Sequence, residues 1–274
     1  MKRPGLIAIA AILVFSGVAG AGVVYEIEVR QAEGEPAISE MSVEGQLLRM
    51  GVNRGGAPSA IELVWRGDRR EAVIINHEEQ YYSVLDEEAL TRLTGQLGQA
   101  LGGVQEMLRN LPESQRGMVE QMMKDKLPNE ALPQGALEVV RTDETQTHNG
   151  YPCVKYIINV DGLATRELWV TNWGRIKGGD QLGAVLEGMV EFFSGFLDSL
   201  GGMTGGIPGL GEQLNAGVIT EMGELDGFPV VARGFDSAGD VIDEAVLRSV
   251  TERDLDPAAF EPPEGYRPRT LGLQ

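Results

Sequence analysis

Apolar residues recur along this chain at two different periods. From Val23 to Leu85 the period is two. Val23, Tyr25, Ile27 and Val29 alternate with Glu26, Glu28 and Arg30, which reads as a strand with one apolar face. A polar loop, Gln31–Ser39, leads to a second and longer strand at Met41–Val52. Ile61, Leu63 and Trp65 alternate with Glu62 and Arg66 in a third. Turns at Arg66–Arg70 and Asn76–Glu79 bound a fourth, Ala72–Ile75, and a fifth, Gln80–Leu85. Five consecutive strands joined by short turns predict an antiparallel meander.

The period then becomes helical. Asp86 suits an N-cap, with Glu87 and Glu88 in the first turn. Leu90, Leu93, Leu97, Leu101, Val104, Leu108 and Leu111 form one apolar seam, which Pro112 ends. Gly95, Gly98, Gly102 and Gly103 interrupt it, at a cost of roughly 1 kcal/mol each against Ala. A second helix is predicted at Ser114–Leu127, with Met118, Met122 and Met123 on one side. Strand periodicity returns at Leu137–Thr145, Tyr151–Val160 and Thr165–Thr171, the last two joined by an Asp161-Gly162 hairpin turn. From Gln181 the period is helical again. Leu182, Val185, Leu186, Met189, Val190, Phe193, Phe196, Leu197 and Leu200 make an unusually broad apolar face, and Phe192 stands off that stripe. A Gly-rich stretch, Gly201–Gly211, and a helical stretch around Glu212–Met222 follow. A final hairpin is predicted from Phe228–Phe235 and Asp240–Val250. The tail, Asp256–Gln274, holds four prolines and is expected to lack regular structure.

Runs of strands separated by helical segments, rather than strict strand–helix–strand units, predict an α+β fold. The expectation is a curved, mostly antiparallel sheet of about eight to ten strands packed on helical inserts. It forms a single domain over residues 22–274, with the inserts at 86–127 and 181–222.

Charge narrows the partners. The 41 Asp and Glu outweigh 23 Lys and Arg, a formal net charge of −18, which repels nucleic acid and anionic lipid surfaces. The N-terminus narrows the location. Lys2 and Arg3 precede the apolar run Leu6–Val18, and Ala19-Gly20-Ala21 supplies small residues for cleavage. Residues 1–21 therefore read as a signal peptide cut after Ala21, which makes the protein periplasmic or secreted. The alternative is an uncleaved N-terminal anchor, since Leu6–Val24 carries no charge and is just long enough to span a bilayer. Membrane contact is expected only through that leader. Cys153 is the one cysteine, so no intramolecular disulfide forms; its alternating strand context reads as a small buried hydrophobe rather than a redox thiol.

Catalytic signals are sparse. His77 and His148 both fall in polar turns and are expected at the surface. No metal-, nucleotide- or nucleophile-binding motif occurs, so no cofactor, no metal and no enzymatic activity are expected. The strong signal is the apolar helix surface. Leu186, Met189, Val190, Phe193, Phe196 and Leu197, together with Met118 and Met122, are the candidate lining of a groove for a lipid or acyl chain. The glycines of Gly201–Gly211 would serve as its hinge. The alternative is an interaction or structural module whose apolar helices dock another envelope protein without a small ligand.

Four segments carry a family likeness: VVYEIEVRQ after the leader, NGYPCVKYIINVDG at Asn149–Gly162, ELWVT at Glu167–Thr171 and AFEPPEGYRP at Ala259–Pro268. In this order they resemble a bacterial secreted domain-of-unknown-function family, number 4412, over about residues 23–268. The ending from Phe260 to Tyr266 and the strand meander also resemble the wider superfamily of the periplasmic lipoprotein carrier. That resemblance implies a half-barrel, closed by helices around an apolar cavity that takes acyl chains.

Overall fold

The computed structural model describes residues 21–32, 34–53, 60–96, 137–199 and 224–270. The leader, the predicted helix with Met118 and Met122, the Gly201–Gly211 hinge and the Glu212–Met222 helix lie outside the described residues.

The first half of the chain is a meander of six strands: β1 (Gly22–Gln31), β2 (Ala37–Glu44), β3 (Leu47–Asn53), β4 (Ile61–Arg66), β5 (Glu71–Asn76) and β6 (Tyr81–Leu85). The second half contributes β7 (Leu137–His148), β8 (Tyr151–Val160), β9 (Leu163–Asn172), β10 (Gly227–Phe235) and β11 (Val241–Arg253). Two-residue β12 (Arg267–Pro268) comes from the tail. All twelve join one sheet in the order β12-β6-β5-β4-β3-β2-β1-β11-β10-β9-β8-β7. The two halves meet where β1 pairs antiparallel with β11, from Gly22 opposite Arg253 to Gln31 opposite Asp243. Only β12 runs parallel to its neighbour, β6.

Among the described residues twelve strands replace the eight to ten expected, for two reasons. The long strand predicted at Met41–Val52 is a hairpin, folded at Gly45-Gln46 with Glu44 opposite Leu47. Gly45 takes φ +60°, the first position of a tight hairpin turn that glycine reaches without strain. The apolar run continues through this turn, which hides it from periodicity. The tail is also more regular than expected. It forms a short 3-10 turn at Pro257–Phe260, capped by Asp256, and then β12.

Two helical segments pack on the sheet. The described part of α1, residues 87–96, starts at Asp86, whose carboxylate accepts from the Ala89 amide at 2.7 Å. The second, α2 (Gly179–Ser199), is 21 residues long. No helix among the described residues is long and apolar enough to cross a membrane.

One face of the sheet and both helices share the largest apolar cluster. Tyr25, Val43, Leu48, Trp65, Leu85 and Phe228 meet Leu90 and Leu93 of α1 and Leu182, Val185, Met189, Phe192 and Phe193 of α2 there. The opposite face is covered at two places. Val64, Val73 and Ile75 lie under Phe260 of the tail, and Tyr156, Ile158, Leu168 and Val170 lie against Leu225. Strands β4 and β5 are therefore buried on both faces, which is why their apolar runs are almost unbroken.

Candidate functional site

The site is organised by the entry to α2. Strand β9 ends at Asn172, whose side chain accepts from the Gly174 amide at 3.0 Å and starts the 3-10 turn Trp173–Arg175. The Ile176 and Gly179 amides then bond back to the Trp173 and Ile176 carbonyls. Gly179 is needed for this fold-back, since a Cβ there would lie 2.1 Å from the Trp173 carbonyl oxygen. The phenol of Tyr25 donates to the Lys177 carbonyl at 2.7 Å, tying the same turn to β1. Burial, with Tyr151 nearby, pushes the Tyr25 phenol well above its ordinary range, so it stays a neutral donor.

From this anchor α2 crosses the sheet with its apolar face on the core and the edge of that face on a cavity. Phe192 and Phe193 close on Trp65 with ring centroids 5.1 and 6.4 Å away. Phe192, placed off the apolar stripe by the helical period, is thus as buried as its neighbour. The correction has a simple cause: Trp65 is broad enough to receive both adjacent rings. At the edge of that face Leu186, itself in the core cluster, and Val190 border a cavity of about 410 Å³, lined also by Trp173 and Leu225. Gly183 lets the Trp173 indole sit against the helix, 3.4 Å from where a Cβ would stand, and Ala184, Asp180 and Glu187 complete the lining.

Of the predicted ligand-contacting residues, Leu186 and Val190 line this cavity. Leu186, Met189 and Phe193 are buried in the core cluster, and Val190 packs against it. The side chains of Phe196 and Leu197, like Met118 and Met122, lie outside the described residues. Trp173, Asp180, Gly183, Ala184, Glu187 and Leu225 join the lining without having been expected there. Part of that signal is present in the sequence, because 180, 183, 187 and 190 share one side of a helix. Nothing in the periodicity points to Trp173 or Leu225.

A second polar feature lies on the face that carries Trp169. Glu167 accepts from the Trp169 indole at 2.9 Å and pairs with Lys155 and Arg233, each at 3.1 Å. Arg233 continues to Glu244 at 2.9 Å, so the chain of charges crosses β8, β9, β10 and β11. Burial alone would raise the Glu167 carboxyl, but these donors outweigh it and hold the group below its ordinary value. The row is self-satisfied and fixes strand register. His148 closes on Trp169 with ring centroids 4.9 Å apart. Burial, then the Arg233 charge, lower its affinity for a proton.

Neither histidine is the surface-turn residue expected. His148 ends β7 half-buried, because Trp169 beside it offers a flat apolar surface. His77 is covered by the tail, with Nδ1 2.9 Å from the Tyr266 hydroxyl and Nε2 3.1 Å from Glu62. Cys153 is buried and donates to the Tyr151 carbonyl at 3.3 Å; burial raises its thiol above the ordinary range. No group of three or more His, Cys, Asp or Glu among the described residues could hold a metal ion.

No protein-family model matches the chain, and no curated protein matches it in sequence. The likeness to family 4412 therefore rests on the four motifs alone. Among solved structures, an uncharacterized conserved protein from Thermus thermophilus aligns with a TM-score of 0.44 at 8% identity, over 91% of this chain and 90% of that one. The Pseudomonas aeruginosa MucA/MucB complex aligns at 0.33 and 10% identity, over 88% of this chain and 55% of that one. A LolA superfamily protein from Nitrosomonas europaea aligns at 0.26 and 7% identity, over 88% and 90%. At these scores the likenesses assign no function to this chain.

Proposed function

We propose that this protein is a non-catalytic, exported binder of an apolar ligand, a lipid or acyl chain, held along α2 in a sheet curved into a half-barrel. The observation that carries this reading is the cavity at the edge of the apolar face of α2. Leu182, Val185, Leu186, Met189, Phe192 and Phe193 belong to the core cluster and Val190 packs against it, yet Leu186 and Val190 also line a cavity of about 410 Å³ with Trp173 and Leu225. That volume falls within the ~300–1,000 Å³ of small-molecule sites. Binding follows from burial of apolar surface, at about 0.8 kcal/mol per methylene removed from water. The charge row Lys155–Glu167–Arg233–Glu244 is paired within itself, which leaves it a framing role rather than an acid–base one. The basic and apolar pattern of residues 2–21 supports the envelope as the site of action.

Calorimetric titration with 1-decanol tests the proposal. Saturable one-to-one binding by the wild type, abolished by the cavity-filling A184F, supports it. Ala184 is exposed in the lining, so this change spares the core. No binding, or equal binding by A184F, refutes it.

A further inference from the structure

The tip of the β7–β8 hairpin is fastened to a strand it does not pair with. His148 pairs with Tyr151, so Asn149 and Gly150 form the turn, at φ +50° and +86°. These are the left-handed values of a type I′ hairpin turn, for which Asn-Gly is a favoured pair. The Asn149 amide donates to the carbonyl of Leu247 in β11. In the strand order β8 stands three places from β11. Adjacent strands lie about 4.8 Å apart, so a flat sheet would hold the two roughly 14 Å apart. The hydrogen bond therefore requires the tip to curl over the sheet. Neighbouring contacts agree. Tyr151 packs against the cluster shared with α2, and it lies close enough to Tyr25 of β1 to disfavour that phenolate. Leu247 stands where β11 bulges: it faces Ile27 while Ser249 faces Glu26, which leaves Arg248 as the extra residue. A bulge takes backbone groups out of the ladder, and a side-chain amide can partner them.

Asn149-Gly150 is also the single Asn-Gly step in the chain, and both residues are exposed. Glycine leaves its own amide nitrogen unhindered, and the space where a Cβ would stand at Gly150 is open. We propose that Asn149 is a self-modification site guarded by its own hydrogen bond: while its amide holds Leu247 the residue is protected, and when the tip lifts, Gly150 attacks it. The Gly150 nitrogen loses its proton and bonds the Asn149 side-chain carbonyl carbon. The bond from that carbon to the side-chain nitrogen breaks, and the nitrogen leaves with the proton as ammonia. Water then opens the cyclic imide at either carbonyl, giving aspartate or isoaspartate. Water is the sole co-reactant. The product carries a carboxylate, an acceptor only, where the amide donated to the Leu247 carbonyl. The tip cannot fasten again, so the modified fraction records how long it has been free.

Peptide mapping by mass spectrometry tests this. The full chain is incubated at mildly alkaline pH beside a synthetic peptide of residues 147–152, and exchange of the amide for a carboxyl is followed at Asn149. The native chain is expected to react about tenfold or more slowly than the peptide, and in urea to approach the peptide's rate. Hydrogen exchange reads the fastening itself. N149D, which carries the product's carboxylate, should speed exchange of the β7 and β8 amides about fivefold or more over wild type. N149G, which suits the turn but has no amide side chain, should also exchange faster than wild type. A native chain that reacts as fast as the peptide, a chain that stays unreacted in urea, or N149D and N149G that both exchange like wild type overturns the proposal.

Discussion

Replacing Phe260 by alanine tests whether the tail is part of the fold or an appendage. The ring is 1% exposed and packs on Val64, Val73 and Ile75, the face of β4 and β5 turned away from the helices. Its neighbours are polar clamps. Arg66, with its side chain 7% exposed, bonds Glu261 of the tail and Glu71 of β5, the latter at 2.9 Å. Arg49 donates to the Ala259 carbonyl at 3.0 Å. A buried Phe→Ala change costs about 3–5 kcal/mol, from lost transfer energy and the cavity left behind. Glu261→Gln is the contrast. Glu261 is 44% exposed and Arg66 keeps Glu71, so solvent screening limits the loss to about 1 kcal/mol or less. Against a total stability of roughly 5–15 kcal/mol, F260A should lower the urea midpoint by about 1 M or more, and E261Q by a fraction of that. Tryptophan fluorescence during urea unfolding reads both, since Trp65 lies in β4, the strand that Phe260 covers. An F260A midpoint no lower than that of E261Q would refute the reading of the tail as part of the fold. An unchanged slope would add that tail and sheet unfold as one unit.

Three further outcomes follow from the same packing. Gly188→Ala places its Cβ in open space within α2 and should raise stability by about 0.5–1 kcal/mol, whereas Gly179→Ala meets the Trp173 carbonyl oxygen and should lower it by about 1–3 kcal/mol; thermal melts of the two variants must move in opposite directions. Tyr25→Phe loses the bond to Lys177 and should cost about 1 kcal/mol at pH 7. Because the folded phenol titrates above the unfolded value of 10.0, its contribution is complete below that pH and declines as pH rises through the folded value, so wild-type stability should fall more steeply than that of Tyr25→Phe above pH 10.0. Cys153, buried with its thiol raised, should react with a disulfide reagent at about pH 8 far more slowly in the native protein than in urea; equal rates would show that β8 opens readily.

Much of this sheet was legible because its strands follow local rules. Val23, Tyr25 and Ile27 alternate with charges, and Asp161-Gly162 marks a turn by its own chemistry, with Asp161 at φ +53°. The breaks came where apolar runs crossed a turn. Val43 and Leu48 lie on opposite sides of Gly45-Gln46 yet read as one strand, since both are apolar and the glycine alone is a weak signal. The tail failed for another reason. Arg267 and Pro268 join β6 through non-local contacts, and Phe260 is ordered by β4 and β5 rather than by its proline-rich neighbours.

The candidate site divides along the same line. A helical period identifies which residues share a side of α2; it says nothing about what covers them. Leu186 and Val190 were therefore accessible to sequence reasoning, as members of an apolar face broader than one contact surface needs. Met189 and Phe193 belong to that same face and, like Leu186, end in the core, where Trp65 arrives from a strand more than a hundred residues earlier. Trp173 and Leu225 approach from either end of the segment that contains α2, and only the folded sheet brings them to one cavity.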